Sequence, residues 1–187
     1  MNPKMFIHKS AIVETVTVGE DTTIWAFTHI LDGAVIGSNV NICDHCFIEN
    51  DVVVGDNVTV KCGVYLWDGI IIENNVFIGP NATFTNDKLP RSKNREYKNH
   101  KTILMEGCSI GANATILPGI TIGKYSMVGA GSVVTKSVPD YALVIGNQAI
   151  IKGYVCICGN GLIFSDGSAT CNCGEKYELI NDIVKRI

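Results

Sequence analysis

The sequence predicts an all-β protein built as a β-helix with triangular coils. Apolar residues recur every six positions, a small or β-branched residue stands four positions after each of them, and Gly, Asp, Asn, Glu and Lys fill most positions between. A period of six fits short strands separated by turns, and three such hexads make one coil. Residues eighteen apart then stack at about 4.8 Å, the usual distance between strands. The first and fifth residues of each hexad are expected to fill the interior.

The hexad residue is apolar without exception over thirteen successive hexads, which are Ile12, Val18, Ile24, Ile30, Ile36, Ile42, Ile48, Val54, Val60, Leu66, Ile72, Ile78 and Phe84. The residues four positions further on are Val16, Thr22, Thr28, Ala34, Val40, Cys46, Val52, Val58, Val64, Ile70, Val76 and Ala82. The pattern resumes with Leu104, Ile110, Ile116, Ile122, Val128 and Val134. Because Leu104 follows Phe84 by 20 residues, we expect an external loop at about residues 85–101, within a coil that continues.

The cysteines beyond the last hexad form a separate pattern. The segment CICGNGLIFSDGSATCNCG contains two C-x-C-G motifs. The cysteines that these motifs would offer to a metal ion are Cys156, Cys158, Cys171 and Cys173. Four thiolates on two glycine-containing turns suit a structural Zn²⁺ ion, although C-x-x-C is the commoner spacing, and unliganded thiols or another metal are the alternatives. We therefore expect a β-helix domain at residues 1–152 and a zinc-ribbon-like four-cysteine hairpin with a terminal segment at 153–187. By contrast, Cys46 and Cys108 occupy inward positions.

Composition limits the partners of the protein. The chain of 187 residues has a net charge of −3, which gives no general attraction to nucleic acid or to an anionic membrane. It begins without an apolar targeting segment and has no stretch of membrane-spanning length. We expect a cytoplasmic protein.

The interrupting loop is basic and lies over an acidic corner. Its cationic residues are Lys88, Arg91, Lys93, Arg95, Lys98 and Lys101. Such a loop is either a solvated surface or a clamp for phosphate groups. Steps of eighteen back from Asn86 reach Asp68, Asn50, Asp32 and Glu14, so Asp68 is expected beneath Asn86, with Asp87 beside it. Corner turns alone favour Asn and Asp, but two carboxylates and an amide could also hold and deprotonate an amine.

A second predicted column contains Trp25, Cys43, Lys61 and Gly79. Trp25 and Lys61 are candidates for contact with a ligand or a neighbouring subunit. His29 and His45 are expected on the same face, where either could serve as a base near neutral pH.

The hexads, the loop and the closing IGANATILPGITIGKYSMVGAGSVVTKSVPDYALVIGN resemble the left-handed β-helix, hexapeptide-repeat acyltransferases over roughly residues 10–152. The string VKCGVYLWDGIIIENNVFIGPNATFTNDKLPRS more narrowly resembles the nucleotide-sugar 3-N-acetyltransferases. That resemblance implies a homotrimer with active sites between subunits, transferring acetyl from acetyl-CoA to a dTDP- or UDP-linked 3-amino sugar used in surface glycans such as O-antigen lipopolysaccharide.

The resemblance also implies roles for individual residues. Asn86, Asp68 and Asp87 would surround the amine as catalytic residues. Further substrate contacts would come from Lys61, Tyr65, Trp67, Arg91 and His29. Acetyl-CoA would lie along the later coils, contacting Gly111, Gly129, Gly131, Lys136 and Lys152.

Two nucleotide-linked amino sugars are candidates for the acceptor substrate. W-D-G and T-N-D resemble the branch acting on dTDP-3-amino-3,6-dideoxyhexoses, and two acids would repel a glucuronate. A short chain with a cysteine-bearing tail resembles the branch acting on UDP-2-acetamido-3-amino-2,3-dideoxyglucuronate. A non-catalytic β-helix scaffold is the alternative of a different class. A metal-dependent hydratase would need three interfacial His ligands, and the chain has only His8, His29, His45 and His100. Because His8 lies before the first hexad and His100 lies in the loop, we do not expect such a triad.

Overall fold

The computed structural model describes residues 5–94, 96 and 98–187, which form a parallel β-solenoid followed by a short antiparallel unit. Most strands have two residues, because a turn follows within each hexad. In the described residues the strands are β1 (Phe6–Ile7), β2 (Ile12–Val13), β3 (Thr23–Ile24), β4 (His29–Ile30), β5 (Val35–Ile36), β6 (Asn41–Ile42), β7 (Phe47–Ile48), β8 (Val53–Val54), β9 (Thr59–Val60), β10 (Tyr65–Leu66), β11 (Ile70–Ile72), β12 (Phe77–Ile78), β13 (Thr83–Phe84), β14 (Thr102–Leu104), β15 (Ser109–Ile110), β16 (Thr115–Ile116), β17 (Thr121–Ile122), β18 (Met127–Val128), β19 (Val133–Val134), β20 (Ala142–Ile145), β21 (Ile150–Val155), β22 (Gly161–Leu162), β23 (Ser168–Thr170), β24 (Lys176–Ile180) and β25 (Ile183–Arg186).

Three sheets form the faces of a triangular prism. Face A has the strand order β1-β3-β6-β9-β12-β15-β18-β20-β21-β22, face B has β19-β16-β13-β10-β7-β4-β2, and face C has β17-β14-β11-β8-β5. From β3 to β19, strands that follow one another in the chain thus lie on successive faces, and each sheet is parallel until β21. The predicted β-helix is confirmed.

The turns between the faces make three corners. The A–B corner contains residues 25–28, 43–46, 61–64, 79–82, 111–114 and 129–132. The B–C corner contains residues 31–34, 49–52, 67–69, 85–101, 117–120 and 135–137. The C–A corner contains residues 37–40, 55–58, 73–76, 105–108 and 123–126.

The hexad residues from Ile24 onward are buried and stack in the predicted register. Ile24 pairs with Ile42, and Ile42 with Val60, each eighteen residues on. The inward Thr28 is also buried, and its hydroxyl donates to the carbonyl of Cys43 at 2.9 Å, so its polar atom is satisfied inside the core.

The inward cysteines follow the same pattern. Cys46 and Cys108 are 2% and 0% exposed, as expected.

The prediction for the first coil is wrong. Ile12 and Val16 are exposed, whereas Val13 packs against the core. The coil is one residue short, because Val13 pairs with Ile30, seventeen residues on. A one-residue shift turns a strand over, so the neighbour of the expected residue points inward. Glu14 therefore leaves the predicted polar column, and its Oε1 lies 2.8 Å from Nε2 of His29.

The loop leaves and rejoins a continuous coil. Ile72 pairs with Leu104, 32 residues on rather than eighteen, so 14 residues are additional. Arg95, one of the predicted loop cations, and residues 1–4 of the predicted domain lie outside the described residues.

The solenoid ends where β21 turns back antiparallel on β20. The predicted domain boundary at 152/153 falls inside β21, and the strands β23, β24 and β25 beyond it form a separate sheet. None of the described residues belongs to a helix that could cross a membrane.

Candidate active site

Asp68 lies on the B–C corner, where neighbouring coils are joined through carboxylates. Its Oδ1 accepts a hydrogen bond from the backbone N–H of Asp51 at 2.8 Å, and its own N–H donates to Oε2 of Glu49 at 2.7 Å. The pairing of Tyr65 with Thr83 keeps the eighteen-residue register at this point, so Asn86 occupies the next coil above Asp68. One carboxylate oxygen of Asp68 is thus used to hold the coil below, and the other accepts no hydrogen bond from residues 5–94, 96 and 98–187.

The ladder of backbone hydrogen bonds between neighbouring coils is interrupted beside Asp68. In the neighbouring coils, the N–H of Glu49 donates to the carbonyl of Leu66, and that of Thr85 to the carbonyl of Ile116. The equivalent bond from Trp67 N to Phe84 O is absent from the described part of the chain, and the indole Nε1 of Trp67 donates to that carbonyl instead, at 2.8 Å. Trp67 therefore fixes the strand end from which the loop departs.

Asn86 and Asp87 stand at the root of the loop, and both are half-buried. Asp87 Oδ1 accepts a hydrogen bond from Leu89 N at 2.8 Å, which turns the chain outward. The Asn86 side chain has no hydrogen-bond partner among residues 5–94, 96 and 98–187. Its amide is therefore available to a ligand.

A cavity of about 430 Å³ lies between the loop and the two coils that follow it. Asp87 and Lys88 form its loop side, and its other walls are Leu117, Pro118, Gly119, Ile120, Thr135, Lys136 and Ser137. A Cβ atom on Gly119 would come within 3.4 Å of Nζ of Lys88, so this lysine reaches back over the coil. We call this space the loop cavity. Sequence reasoning missed most of its walls, although a plain step of eighteen from Leu117 reaches Thr135 and would have placed these two residues together.

A second cavity, of about 330 Å³, is aromatic and lies along face B toward the A–B corner. Its lining residues are Phe27, His29, His45, Cys46, Phe47, Tyr65 and Trp67. We call it the aromatic cavity. The predicted substrate contacts His29, Tyr65 and Trp67 meet here, whereas Phe27 and Phe47 were not foreseen.

The backbone at the rim of the aromatic cavity is strained. Phe27 and His45 have φ of 59° and 60°, and their rings stack with centroids 5.0 Å apart. The same position of later coils is filled by Gly63, Asn81 and Asn113, residue types that tolerate this conformation. An exposed Phe held at positive φ is unusual and marks this rim as a candidate functional surface.

Cys46 in the cavity wall is not a nucleophile at neutral pH. Burial raises the pKa of its thiol to about 12, more than its backbone hydrogen bonds lower it. The thiol therefore stays protonated, and the site offers no activated cysteine here.

Two predicted substrate contacts lie elsewhere. Lys61 is half-buried on the A–B corner, and Arg91 is exposed on the loop, where its guanidinium donates to the carbonyl of Pro90 at 2.8 Å. The expectation that His29 shares the face of Trp25 and Lys61 is wrong. His29 belongs to β4 on face B, while Trp25 and Lys61 follow strands of face A.

The predicted acetyl-CoA contacts fall on separate surfaces of the chain. Gly111, Gly129 and Gly131 lie at the A–B corner, Lys136 lies in the loop cavity at the B–C corner, and Lys152 is exposed on β21. The loop cavity, which Lys136 lines, includes none of these three glycines.

The four C-terminal cysteines converge as predicted. The sulfur atoms of Cys156, Cys158, Cys171 and Cys173 all lie within 4.8 Å of one another. They are remote in sequence from the B–C corner and form a distinct site.

The hexad-based β-solenoid, with a ligand-sized cavity beside its inserted loop, identifies the class of protein to which the chain belongs. The chain belongs to the bacterial transferase hexapeptide family, whose model, described as six repeats, matches residues 15–50, 51–86 and 101–136.

Three individual proteins show which kinds of transferase this chain is similar to. The chain is 58% identical over 182 residues to a dTDP-3-amino-3,6-dideoxy-α-D-galactopyranose 3-N-acetyltransferase of Aneurinibacillus thermoaerophilus, covering 97% of this chain and 95% of that one. A mutant perosamine N-acetyltransferase of Caulobacter crescentus, solved with CoA and GDP-perosamine, superposes with a TM-score of 0.55 at 25% identity. That match covers 80% of this chain and 56% of the other, so the present chain spans about half of that enzyme. A hexapeptide-repeat acetyltransferase of Vibrio cholerae solved with acetyl-CoA matches with a TM-score of 0.53 at 29% identity, covering 65% of this chain and 67% of the other.

Proposed function

We propose that the chain transfers the acetyl group of acetyl-CoA to the 3-amino group of a dTDP-linked 3-amino-3,6-dideoxyhexose, for use in a surface glycan such as lipopolysaccharide. The observation that carries this proposal is the 58% identity, across nearly the whole of both chains, to a transferase named for that reaction. A non-catalytic scaffold does not account for that identity.

The reaction proceeds by direct attack of the neutral amine on the thioester carbonyl. A carbon–nitrogen bond forms, the carbon–sulfur bond breaks, and CoA leaves as the thiolate, which takes up the proton lost by the amine and is released as the thiol. Asp68 accepts the amine proton, directly or through water, on the oxygen that does not bond Asp51. Asn86 orients the amine, and Asp87 lies between this corner and the loop cavity. A backbone N–H of a coil stabilises the oxyanion, and no acyl-enzyme is formed.

The aromatic cavity is the surface we assign to the pyrimidine base. It ends at Trp67, the residue before Asp68, so a base there and a sugar at the corner are joined over a short path. Stacking of a base on an aromatic side chain is worth about 1–3 kcal/mol. His29 and Tyr65 supply polar edges, and Lys61 and Arg91 are the cations assigned to the phosphates.

The arrangement of the cofactor contacts favours a homotrimer with sites between subunits. If the A–B corner of one subunit lies against the B–C corner of the next, Gly111, Gly129 and Gly131 face the loop cavity with Lys136. Acetyl-CoA then lies in the groove between them, and Lys152 is assigned to its phosphates. Light scattering of the purified protein tests the trimer, and a stable monomer with full activity contradicts it. Because acetyl-CoA and nucleotide sugars are cytoplasmic metabolites, we place the protein in the cytoplasm, with no membrane or nucleic-acid partner.

The test is CoA release with three acceptors, run on the wild type and matched variants. The acceptors are the dTDP-3-amino-3,6-dideoxygalactose, its glucose epimer and the UDP-linked 3-amino glucuronate. Turnover of a dTDP sugar is expected, and turnover of the glucuronate alone would contradict the electrostatic reasoning about Asp68 and Asp87. Silence on all three would contradict the proposed function.

The variants separate chemistry from structure. Asn86→Ala and Asp68→Asn should each lower kcat at least about 100-fold, within the range for loss of a general base, without changing acetyl-CoA affinity. Asn50→Ala and Asp32→Asn make the same changes two coils lower in the same column, and both controls should retain the wild-type rate. Full activity of both test variants would remove these residues from the mechanism.

A further inference from the structure

The thiol cluster near the C-terminus has the dimensions of a metal site. Cys156 and Cys173 have sulfur atoms 3.4 Å apart, and those of Cys158 and Cys171 are 3.5 Å apart. A Zn²⁺ ion with Zn–S bonds of about 2.3 Å requires sulfur atoms about 3.8 Å apart in a tetrahedron. A disulfide requires about 2.05 Å. The cysteines are free and spaced for a shared ion.

Two copies of one turn hold these thiols. In the first, Cys156 N donates to Asn160 O at 2.8 Å, and Gly159 N donates to Cys156 O at 2.8 Å. In the second, Cys171 N donates to Glu175 O at 2.8 Å, and Gly174 N donates to Cys171 O at 2.9 Å. Both glycines have positive φ, at 86° and 97°. The C-x-C-G spacing thus gives two equivalent pairs of converging sulfur atoms.

A second layer of hydrogen bonds is directed at the sulfur atoms. The hydroxyl of Tyr177 donates to Sγ of Cys156 at 3.1 Å and accepts from Ile157 N at 3.1 Å. Asn160 Nδ2 donates to Sγ of Cys158 at 3.4 Å. Tyr177 is fully buried, so its hydroxyl has exchanged water for this sulfur. Donors of this kind orient and stabilise metal-bound thiolates.

The unit that carries the thiols has a small buried core. Its cluster of buried side chains consists of Cys156, Cys171, Ala169, Tyr177 and Val184, and the partly buried side chains packed against it are Tyr141, Tyr154, Ile157, Leu162, Phe164 and Leu179. Two of the five buried side chains in this cluster are thiols of the proposed metal site. Domains of this size normally need a metal, disulfides or a larger partner.

The unit also closes the end of the solenoid. Its first strand continues face A through the pairing of β21 with β20. Tyr177 packs edge-on against Tyr141 with ring centroids 5.4 Å apart, and Tyr141 stacks on Tyr125 at 5.8 Å. The tyrosine beneath the thiols therefore connects them to the last coils.

We propose that Cys156, Cys158, Cys171 and Cys173 hold one structural Zn²⁺ ion, supported by Tyr177, and that this ion folds residues 153–187 into the end cap of the β-solenoid. All four positions around the ion are protein ligands, so it has no part in the transfer reaction. The proposal is independent of the acceptor sugar.

Metal content of the full chain is the first test. Protein purified under reducing conditions without chelators should contain about one zinc per chain by mass spectrometry. Cys158→Ser should lose it, and Cys62→Ser, which removes an exposed thiol outside the cluster, should keep it. Iron in place of zinc, disulfides among the four residues, or failure to bind either Zn²⁺ or Co²⁺ would overturn the proposal.

A variant that lacks one of the four cysteines can simply fail to fold. The role of Tyr177 is therefore tested by a separate variant that keeps all four cysteines. Tyr177→Phe keeps the ring and removes the hydroxyl, and should weaken zinc about 10–100-fold in competition with a chromogenic chelator. The cobalt-substituted protein should show thiolate-to-metal absorption that shifts in this variant. Unchanged affinity and spectrum would remove Tyr177 from the site.

The capping role is tested by hydrogen exchange before and after chelation. Removing zinc should expose the amides of β23, β24 and β25 while the central coils stay protected. Equal loss of protection along the whole chain would show that the ion has no local capping role.

Discussion

Replacing Trp67 by Phe tests how the active corner is held open. The indole N–H of Trp67 donates to the Phe84 carbonyl in place of a missing ladder bond, at 2.8 Å. Trp67→Phe keeps an aromatic ring but leaves that carbonyl without its donor, which costs about 1–3 kcal/mol. In a chain of this size, Tm falls by about 2–4 °C for each kcal/mol. The loop root should also loosen, so kcat on the amino sugar should fall up to about tenfold if about 1.4 kcal/mol of positioning is lost.

The chain provides a matched control. Trp25 Nε1 donates to Asn41 Oδ1, also at 2.8 Å, but on an exposed surface near the N-terminal end of the A–B corner. Trp25→Phe makes the same chemical change and should cost no more than about 1 kcal/mol. The protein has two tryptophans, so each variant leaves one indole as a fluorescent reporter. Addition of a dTDP sugar should alter the emission of Trp67 in Trp25→Phe and leave that of Trp25 in Trp67→Phe unchanged.

The two variants make the same substitution, and each removes one indole hydrogen bond of 2.8 Å. Equal Tm and equal kcat would refute the structural role of Trp67. An emission change at Trp25 alone would refute the position assigned to the nucleotide.

Two further predictions concern packing and thiol chemistry. Gly111→Ala should lower the free energy of unfolding in urea by about 1–3 kcal/mol, because its Cβ would lie 2.5 Å from the backbone nitrogen of Ala130. Gly153→Ala, which meets no atom within 4 Å, is the control, and equal stability of the two variants would contradict the close stacking of the coils. Iodoacetamide at pH 8 should label the exposed Cys62 and spare Cys46, whose pKa of about 12 leaves a thiolate fraction of about 10⁻⁴. Labelling of Cys46 should increase as the pH rises toward that pKa, and mass spectrometry showing rapid labelling at pH 8 would contradict the burial.

The burial of the hexad residues could be predicted from the sequence, because a hexad has only one way to bury its first and fifth residues. Ile24 through Phe84 follow that rule, and the two-residue phase change marked the loop correctly. The first coil escaped prediction because Ile12 and Val13 are both apolar, and hydrophobicity alone does not reveal a missing residue. The position of Glu14 was lost with it.

The candidate site was predictable where it depends on stacking and not where it depends on turn conformation. The eighteen-residue step relates Asn86 to Asp68 from the sequence alone. By contrast, the aromatic cavity depends on Phe27 being held at positive φ, a conformation its residue type does not suggest. The loop cavity depends on how the inserted residues fold back, as shown by Lys88 over Gly119, and no periodic rule governs an insertion.

The insertion of 14 residues into an unbroken coil allows the loop to change in length during evolution. Since Ile70 to Ile72 pair with Thr102 to Leu104 as any two adjacent coils do, the scaffold is complete without the loop. The loop can therefore be lengthened, shortened or exchanged for that of a relative as a cassette, while the coils below keep their register. The loop side of the loop cavity, formed by Asp87 and Lys88, can in this way vary without disturbing the register of the coils that hold Asp68 and the aromatic cavity.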